Sequence, residues 1–290
     1  VYPLLPMLSS DGLVLIEPVS GYTNQIFKVK KIYATEKTPY QEIIFAELEG
    51  FGKALIIDKY VQSTEKDEYI YHELLVHPAL ALHPEPKIIL IIGGGEGATL
   101  REALKHNTAT EVVMVDIDEK VVEFSKKFLE VMHKGSFSDP RARVMIMDGL
   151  EYVKKSPSNY FDAVILDLTD PYAGPVALPL YSYEAFREIK RVLKPDGVLT
   201  IQAGSSYFYP KEYQSVKENI EKNFKHVAEY WAWVPSFAIN VNFIVASEEH
   251  SLYSLSPEVF DERLKKRDVS TNYINGKRLQ AHLNLGVLYG

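Results

Sequence analysis

Two acids stand three residues apart in Asp167-Leu168-Thr169-Asp170-Pro171, directly after the apolar run Ala163 to Leu166. At the carboxyl end of a central strand, such a pair sits where open α/β sheets keep their chemistry. Carboxylates there suit proton transfer and the binding of cations. Pro171 ends the strand and opens a loop, Tyr172 to Leu180, whose Ala173-Gly174-Pro175 has the make-up of a lid. Asp170-Pro171 taken alone also reads as a plain turn.

Upstream, Gly93-Gly94-Gly95-Glu96-Gly97 follows the apolar strand Lys87 to Ile92 and opens a helix. Glycines allow a ligand close to the backbone, and the helix start offers free N–H donors. In a nucleoside site an acid should follow about 20 residues on, to accept from ribose hydroxyls. Asp116, in Val115-Asp116-Ile117-Asp118, is close to that spacing. Asp148-Gly149 lies past the third strand, where a carboxylate can accept from an adenine amine; the plainer use of Asp148 is as a helix cap. Asp118 reads as a cap. The loop is not a phosphate-binding G-x-x-x-x-G-K-[ST], and Glu96 would repel a pyrophosphate. The expected ligand is therefore a nucleoside without phosphates.

These residues need a scaffold that brings several strand ends together. From Lys87 the chain alternates strands and helices. Strands are expected at Lys87 to Ile92, Glu111 to Val115, Ala142 to Met147, Ala163 to Leu166 and Val198 to Gln202. Helices are expected up to His106 and over Glu119 to Met132, Leu150 to Lys154 and Tyr183 to Leu193, the last closed by the turn Lys194-Pro195-Asp196-Gly197. This predicts a doubly wound, mostly parallel sheet. Val227 to Val234 and Val241 to Ala246 predict an antiparallel pair at one edge, and Pro257 to about Lys266 a tail helix. Before Asp67 the pattern is β, with strands at Gln25 to Ala34, Tyr40 to Leu48 and Ala54 to Ile57. Tyr71, Leu74, Leu75, Ala79 and Leu82 then recur at helical spacing over Asp67 to Leu82. The organisation is a small β domain over residues 1–66 and a larger α/β domain over 67–290, with Pro84 and Pro86 leading into its alternating part.

Composition narrows the field. The 290 residues are 46% hydrophobic and 24% charged, which excludes a disordered or fibrous chain. The formal charge of −7 argues against nucleic acid and anionic membranes and for cationic small molecules. There is no cysteine, hence no thiolate nucleophile and no Cys-held metal. The longest apolar run, Ile88 to Ile92, is far short of the roughly 18 residues of a membrane span. Val1 to Ser10 carry no basic stretch, so no secretory leader and a cytoplasmic location are expected. His77, His83 and His106 lack ligand spacing and read as structural. Tyr207 to Tyr213 reads as core, with lining of a ligand channel as the other use.

Taken in order, these motifs, together with Gln62-Ser63-Thr64-Glu65-Lys66-Asp67-Glu68 and Tyr71-His72-Glu73, resemble the spermidine synthase family of polyamine aminopropyltransferases. The resemblance runs from about Tyr40 to Ala246. It is nearest the thermospermine-synthase-like branch, through Glu96, Phe137-Ser138-Asp139-Pro140-Arg141, the loop Pro171 to Tyr181 and Gln202-Ala203-Gly204. It implies a Rossmann-like, methyltransferase-like catalytic domain with a small N-terminal β domain, in a homodimer or homotetramer. It implies transfer of the aminopropyl group of decarboxylated S-adenosylmethionine to an amine, leaving methylthioadenosine. The donor is a co-substrate; no cofactor and no metal are implied.

The resemblance also assigns roles. Asp167 takes the acceptor's proton, and Asp170 holds the amine or a neighbouring ammonium. Glu96 binds the donor's propylamine, where ordinary S-adenosylmethionine carries a carboxylate nearby. Tyr71 and His72 contact the polyamine or the propylamine. Gln41 and Gln62 contact the donor nucleoside, with Asp116, Ile117, Asp148 and Gly149, and Pro175 lies beside the adenine. Gly93, Gly94, Gly95 and Gly97 form the glycine loop. The chain departs from the family in Val234-Pro235-Ser236-Phe237-Ala238-Ile239-Asn240, where Phe237 replaces a usual tyrosine, and from the thermospermine branch at Ile239, where an acid is expected, and Val241, where a tryptophan is expected. Leu168 replaces a small polar residue. The acceptor is thereby left open among spermidine, putrescine, cadaverine, agmatine and norspermidine. Two other readings are an N-methyltransferase acting on a small amine and a silent nucleoside-binding protein.

Overall fold

The computed structural model describes residues 7–9 and 12–290. The expectation of no leader, which rests on Val1 to Ser10, lies outside the described residues but for Met7–Ser9. Six antiparallel strands pair in chain order: β1 (Met7–Ser9), β2 (Gly12–Pro18), β3 (Asn24–Lys37), β4 (Glu42–Leu48), β5 (Gly52–Ile57) and β6 (Tyr60–Thr64). Strand alternation gives β4 two apolar faces. Ile44, Ala46 and Leu48 pack with Leu15, Phe27, Val29 and Ile56 inside the sheet. Ile43 and Phe45 face the other way and pack with Ala98, Val121 and Met132 of the second domain. That second face seats the small sheet over the edge of the large one.

The large sheet has the order β12-β13-β11-β10-β7-β8-β9. Its strands are β7 (Ile88–Gly93), β8 (Glu111–Asp116), β9 (Ala142–Ile146), β10 (Phe161–Asp167), β11 (Leu193–Gln202), β12 (His226–Val234) and β13 (Ile239–Ser247). β9 through β11 are parallel, and β13 and β12 close one edge antiparallel. Strand order reverses between β7 and β10, so a crevice opens beyond their carboxyl ends. The helices are α1 (Glu68–Leu82), α2 (Ala98–Leu104), α3 (Glu119–Phe128), α4 (Glu130–His133), α5 (Gly149–Lys155), α6 (Tyr183–Val192), α7 (Pro210–Glu221), α8 (Pro257–Lys266) and α9 (Gly276–Asn284). α1, α2, α8 and α9 share one apolar layer with the sheet, and α5, α6 and α7 contribute to the other. No helix among the described residues is long and apolar enough to cross a membrane.

The structure adds β1, β2 and β6 to the strands expected of the small domain, and it differs from expectation elsewhere too. The helix foreseen over Glu119 to Met132 breaks at Leu129, whose backbone leaves the helical region (φ −112°, ψ 35°) while its side chain enters the layer beneath β4. Lys194 to Gly197 do not form a free turn. They bulge inside β11, where pairing jumps from Phe161–Leu193 to Ala163–Val198. Helices α7 and α9 add to the expected set; α7 shows a buried stripe of Tyr213, Val216 and Ile220 behind Pro210 at its start.

Candidate active site

The glycine loop draws three strand ends together. Gly93 ends β7 at φ +83°, and a Cβ there would stand 2.1 Å from the carbonyl oxygen of Asp167. A Cβ on Gly95 would stand 2.6 Å from Oδ2 of Asp116. Without side chains, β10 and β8 approach the loop directly, and the Gly94 N–H donates to the Asp167 carbonyl at 3.0 Å. Gly97, also at positive φ, begins α2 behind the loop against Phe137 and does not line the cavity.

Beyond these ends lies one cavity, closed above by β2, β5 and β6. Among the described residues its wall holds six carboxylates, Glu17, Glu96, Asp116, Asp148, Asp167 and Asp170, and no Lys, Arg or His. Asp167 is aimed by two hydroxyls. Tyr71 donates to Oδ1 and Thr99 to Oδ2, each at 2.6 Å. Burial, then the Glu96 charge, push Asp167 up to about 6. Asp116 accepts from the Asp118 N–H at 2.8 Å, yet burial and the neighbouring acids raise it to about 7. Burial also raises Asp170, and raises Glu17 well above its ordinary value. Such a wall favours a cation, which restores the charge balance that burial opposes.

Glu96 receives a hydrogen bond at Oε1 from His72 Nε2 at 2.9 Å, and His72 Nδ1 donates to Glu68 at 2.7 Å. Against the cost of burial, these two carboxylates raise His72 to about 10, so it is an imidazolium at neutral pH. Among the described residues, His72, Glu96 and Asp167 are grouped closely enough for a metal. An imidazolium with both N–H groups engaged has no lone pair to offer one.

The other expected residues divide. Gln41, Gln62, Tyr71, Ile117 and Gly149 line the cavity. Gln41 donates to Asp118 at 3.0 Å, tying the small sheet to the start of α3. Asp148 serves both readings: it caps α5, accepting from the Glu151 N–H at 2.9 Å, and faces the cavity. Two positions need correction. His72 is buried behind Glu96 rather than on the wall, because its place on α1 turns it toward Glu68. Pro175 is exposed at the crest of its loop, and Val176 and Ala177 reach the cavity instead. The loop folds into turns and a short 3₁₀ helix, Leu178–Tyr181, pinned by Tyr181, whose hydroxyl donates to the Thr169 carbonyl at 3.1 Å.

One further contributor lies outside the expected set. Glu17, from β2, closes the far end and accepts from Gln25 at 3.1 Å. A lone acid within the apolar strand Leu13 to Pro18 was the available signal. Tyr172 stacks on Tyr209 at 3.5 Å between ring centroids. This places one member of the aromatic stretch behind the far wall, whereas Tyr213 is core. Phe237 packs edge-on against Tyr71, and Ile239 and Val241 complete an apolar strip beside it. His77 and His106 bond to each other at 3.0 Å inside the protein, and His83 is buried beside Asp196.

Residues 68–256 match the family model of the spermine/spermidine synthase domain, and residues 16–65 that of the spermidine synthase tetramerisation domain. A polyamine aminopropyltransferase of Pyrobaculum calidifontis is 49% identical over 277 residues, which are 95% of this chain and 96% of the relative. Polyamine aminopropyltransferase 1 of Hyperthermus butylicus is 46% identical, over 92% of each chain. Among solved structures, a spermidine synthase in complex with the transition-state analogue AdoDATO superimposes with a TM-score of 0.89 at 30% identity, over 99% of this chain and 95% of that one. The spermidine synthase of Thermotoga maritima gives 0.86 at 29% identity, over 98% and 94%.

Proposed function

Because the chain belongs to the spermine/spermidine synthase family, we propose that its acidic cavity holds decarboxylated S-adenosylmethionine along β7, β8 and β9 and a linear polyamine at the far end. The protein is a polyamine aminopropyltransferase. The observation that carries the placement of both substrates is the wall of six carboxylates without a basic side chain among the described residues, since the donor is a sulfonium and an ammonium and the acceptor is a cation. Ribose hydroxyls donate to Asp116 and the adenine amine to Asp148, while the propylamine meets Glu96. Asp167, aimed by Tyr71 and Thr99, receives the reacting amine.

An alkyl amine, with a pKa of about 10.4, arrives protonated and must lose a proton to attack. Asp167 accepts it and directs the lone pair at the carbon beside the sulfonium. The new N–C bond forms as the C–S bond breaks in line, and the bonding pair leaves on sulfur as neutral methylthioadenosine. No covalent enzyme intermediate arises, and the reading requires no metal and no cofactor. An N-methyltransferase is disfavoured, because the carboxylate of its donor would lie beside Glu96.

For the acceptor, Phe237, Ile239 and Val241 supply an apolar strip for methylenes, and Asp170 and Glu17 supply charge for a second ammonium. A linear diamine or longer polyamine fits this end. A product assay by mass spectrometry, with the decarboxylated donor and a panel of putrescine, cadaverine, agmatine, spermidine, norspermidine and butylamine, tests it. Aminopropylated diamines or triamines are expected, with butylamine at under about a tenth of their rate. Methylated product from S-adenosylmethionine, or equal use of butylamine, contradicts the reading.

The raised acids set a pH dependence. Asp116, raised to about 7, holds the donor's ribose hydroxyls well only when ionised. Donor affinity is therefore expected to rise from pH 5 to 8, followed by calorimetric titration, and a flat profile contradicts the assignment. The match of residues 16–65 to a tetramerisation domain, with Tyr22 and Ile26 exposed on the β2–β3 hairpin, supports a homo-oligomer built through the small sheet. The same reading places the enzyme in the cytoplasm with its small soluble substrates.

A further inference from the structure

Glu96 is the outer end of a line of alternating charge that runs into the protein. Behind it stands His72, and behind His72 stands Glu68, on the same helix one turn earlier. Arg101, from α2, grips Glu68 with two parallel hydrogen bonds, Nη1 to Oε1 at 2.9 Å and Nη2 to Oε2 at 3.0 Å. Arg101 is itself fixed by Glu102, at 2.9 Å from Nε and 2.8 Å from Nη2, and by the Met132 carbonyl. Glu68, His72, Glu96 and Arg101 are all buried. Hydrogen bonds from His72 and from Arg101 overcome burial and pull the Glu68 carboxyl down to about 2.

Buried ion pairs are weak sources of stability, since packed apolar groups of like volume do as well or better. What this line achieves is orientation. His72 Nδ1 meets the Glu68 carbonyl at 2.9 Å as well as the Glu68 carboxylate, and the charge of that carboxylate keeps the second proton on Nε2, which then donates toward Glu96. Glu96 Oε1 is thus occupied, and among the described residues no hydrogen bond is made by Oε2. We propose that the Arg101–Glu68 pair is a positioning device for the donor's ammonium: through His72 it holds the Glu96 carboxylate with one oxygen tethered and the other left for the ligand. Without the Glu68 charge, His72 can become a neutral tautomer with a lone pair at Nε2, which turns Glu96 away; without Arg101, the Glu68 carboxylate is no longer held in the position that meets Nδ1. Arg101 and Glu68 touch neither substrate.

The proposal rests on the assignment of the propylamine to Glu96 made above. Its test is the ratio of two affinities measured calorimetrically, for the decarboxylated donor and for methylthioadenosine, which keeps the nucleoside but lacks the ammonium. In Arg101→Leu and Glu68→Gln the donor is expected to bind about tenfold or more weakly, as for loss of a charge-assisted hydrogen bond, with methylthioadenosine within about twofold and the acceptor KM unchanged. A parallel fall for both ligands marks a merely structural role and overturns the proposal, as does no change for either. Should Arg101→Leu fail to fold, the same ratio in Glu68→Gln decides. Glu96→Gln separates the two claims. If it leaves the ratio at the wild-type value, the assignment of the ammonium fails; if it collapses the ratio and the other two variants do not, the positioning role alone fails.

Discussion

Replacing Asp167 by asparagine is expected to lower kcat by roughly 10²- to 10⁴-fold, the range for loss of a general base. The substitution keeps the shape of the side chain. Tyr71 can still donate to the remaining oxygen, and the Thr99 hydroxyl can rotate to accept from the new amide. The aim of the group therefore survives while its proton affinity is lost. Asp167 is also suited to the task by its surroundings, because burial and the Glu96 charge lift it to about 6. A carboxyl raised this far gives a better proton acceptor than an exposed one, and the cationic donor keeps it ionised. Donor binding is expected to stay within a few fold, since Glu96, Asp116 and Asp148 remain. Single-turnover rates with a calorimetric donor titration separate the two effects, and near-normal turnover rules out the base role.

The second large effect concerns Glu96→Gln. Two like charges about 4 Å apart, at an effective dielectric near 20, repel by about 4 kcal/mol before screening. That sets a ceiling of roughly 10³-fold on the discrimination Glu96 can exert between a donor with a free propylamine and one that still bears its carboxylate. The glutamine side chain fills the same space beside His72 but carries no charge. It loses attraction for the ammonium and repulsion for the carboxylate together. The preference is expected to shrink by about 10²-fold or more, chiefly through weaker binding of the decarboxylated donor.

Much of the site was legible because its parts are local. Asp116, Asp148 and Asp167 each sit where a strand gives way to a loop, and period and punctuation mark such junctions in a sequence. The close approach at Gly93 and Gly95 follows from the glycine run itself. What escaped was tertiary. Glu17 is far from Asp170 along the chain and meets it only because the small sheet folds over the large one. His72 was read as a ligand contact, yet its direction is decided by Glu68 one turn back and by Arg101 on another helix. Arg101 within the apolar helix Ala98–Leu104 was the visible trace of that arrangement. Pro175 lies on the loop foreseen, but the loop turns its crest outward and presents Val176 and Ala177. The break at Leu129 is likewise invisible locally, since it serves packing beneath β4 rather than any helix-stop residue.

The central claim is that this pocket chooses a donor without a carboxylate, and Glu96 is the group that chooses. Calorimetric titration of the unaltered protein and of Glu96→Gln, each with decarboxylated S-adenosylmethionine and with S-adenosylmethionine, measures it directly. The account predicts a preference for the decarboxylated donor of about 10²-fold or more in the unaltered protein, largely lost in the variant. Equal affinity of the unaltered protein for both donors, or an equal loss of both in the variant, contradicts it.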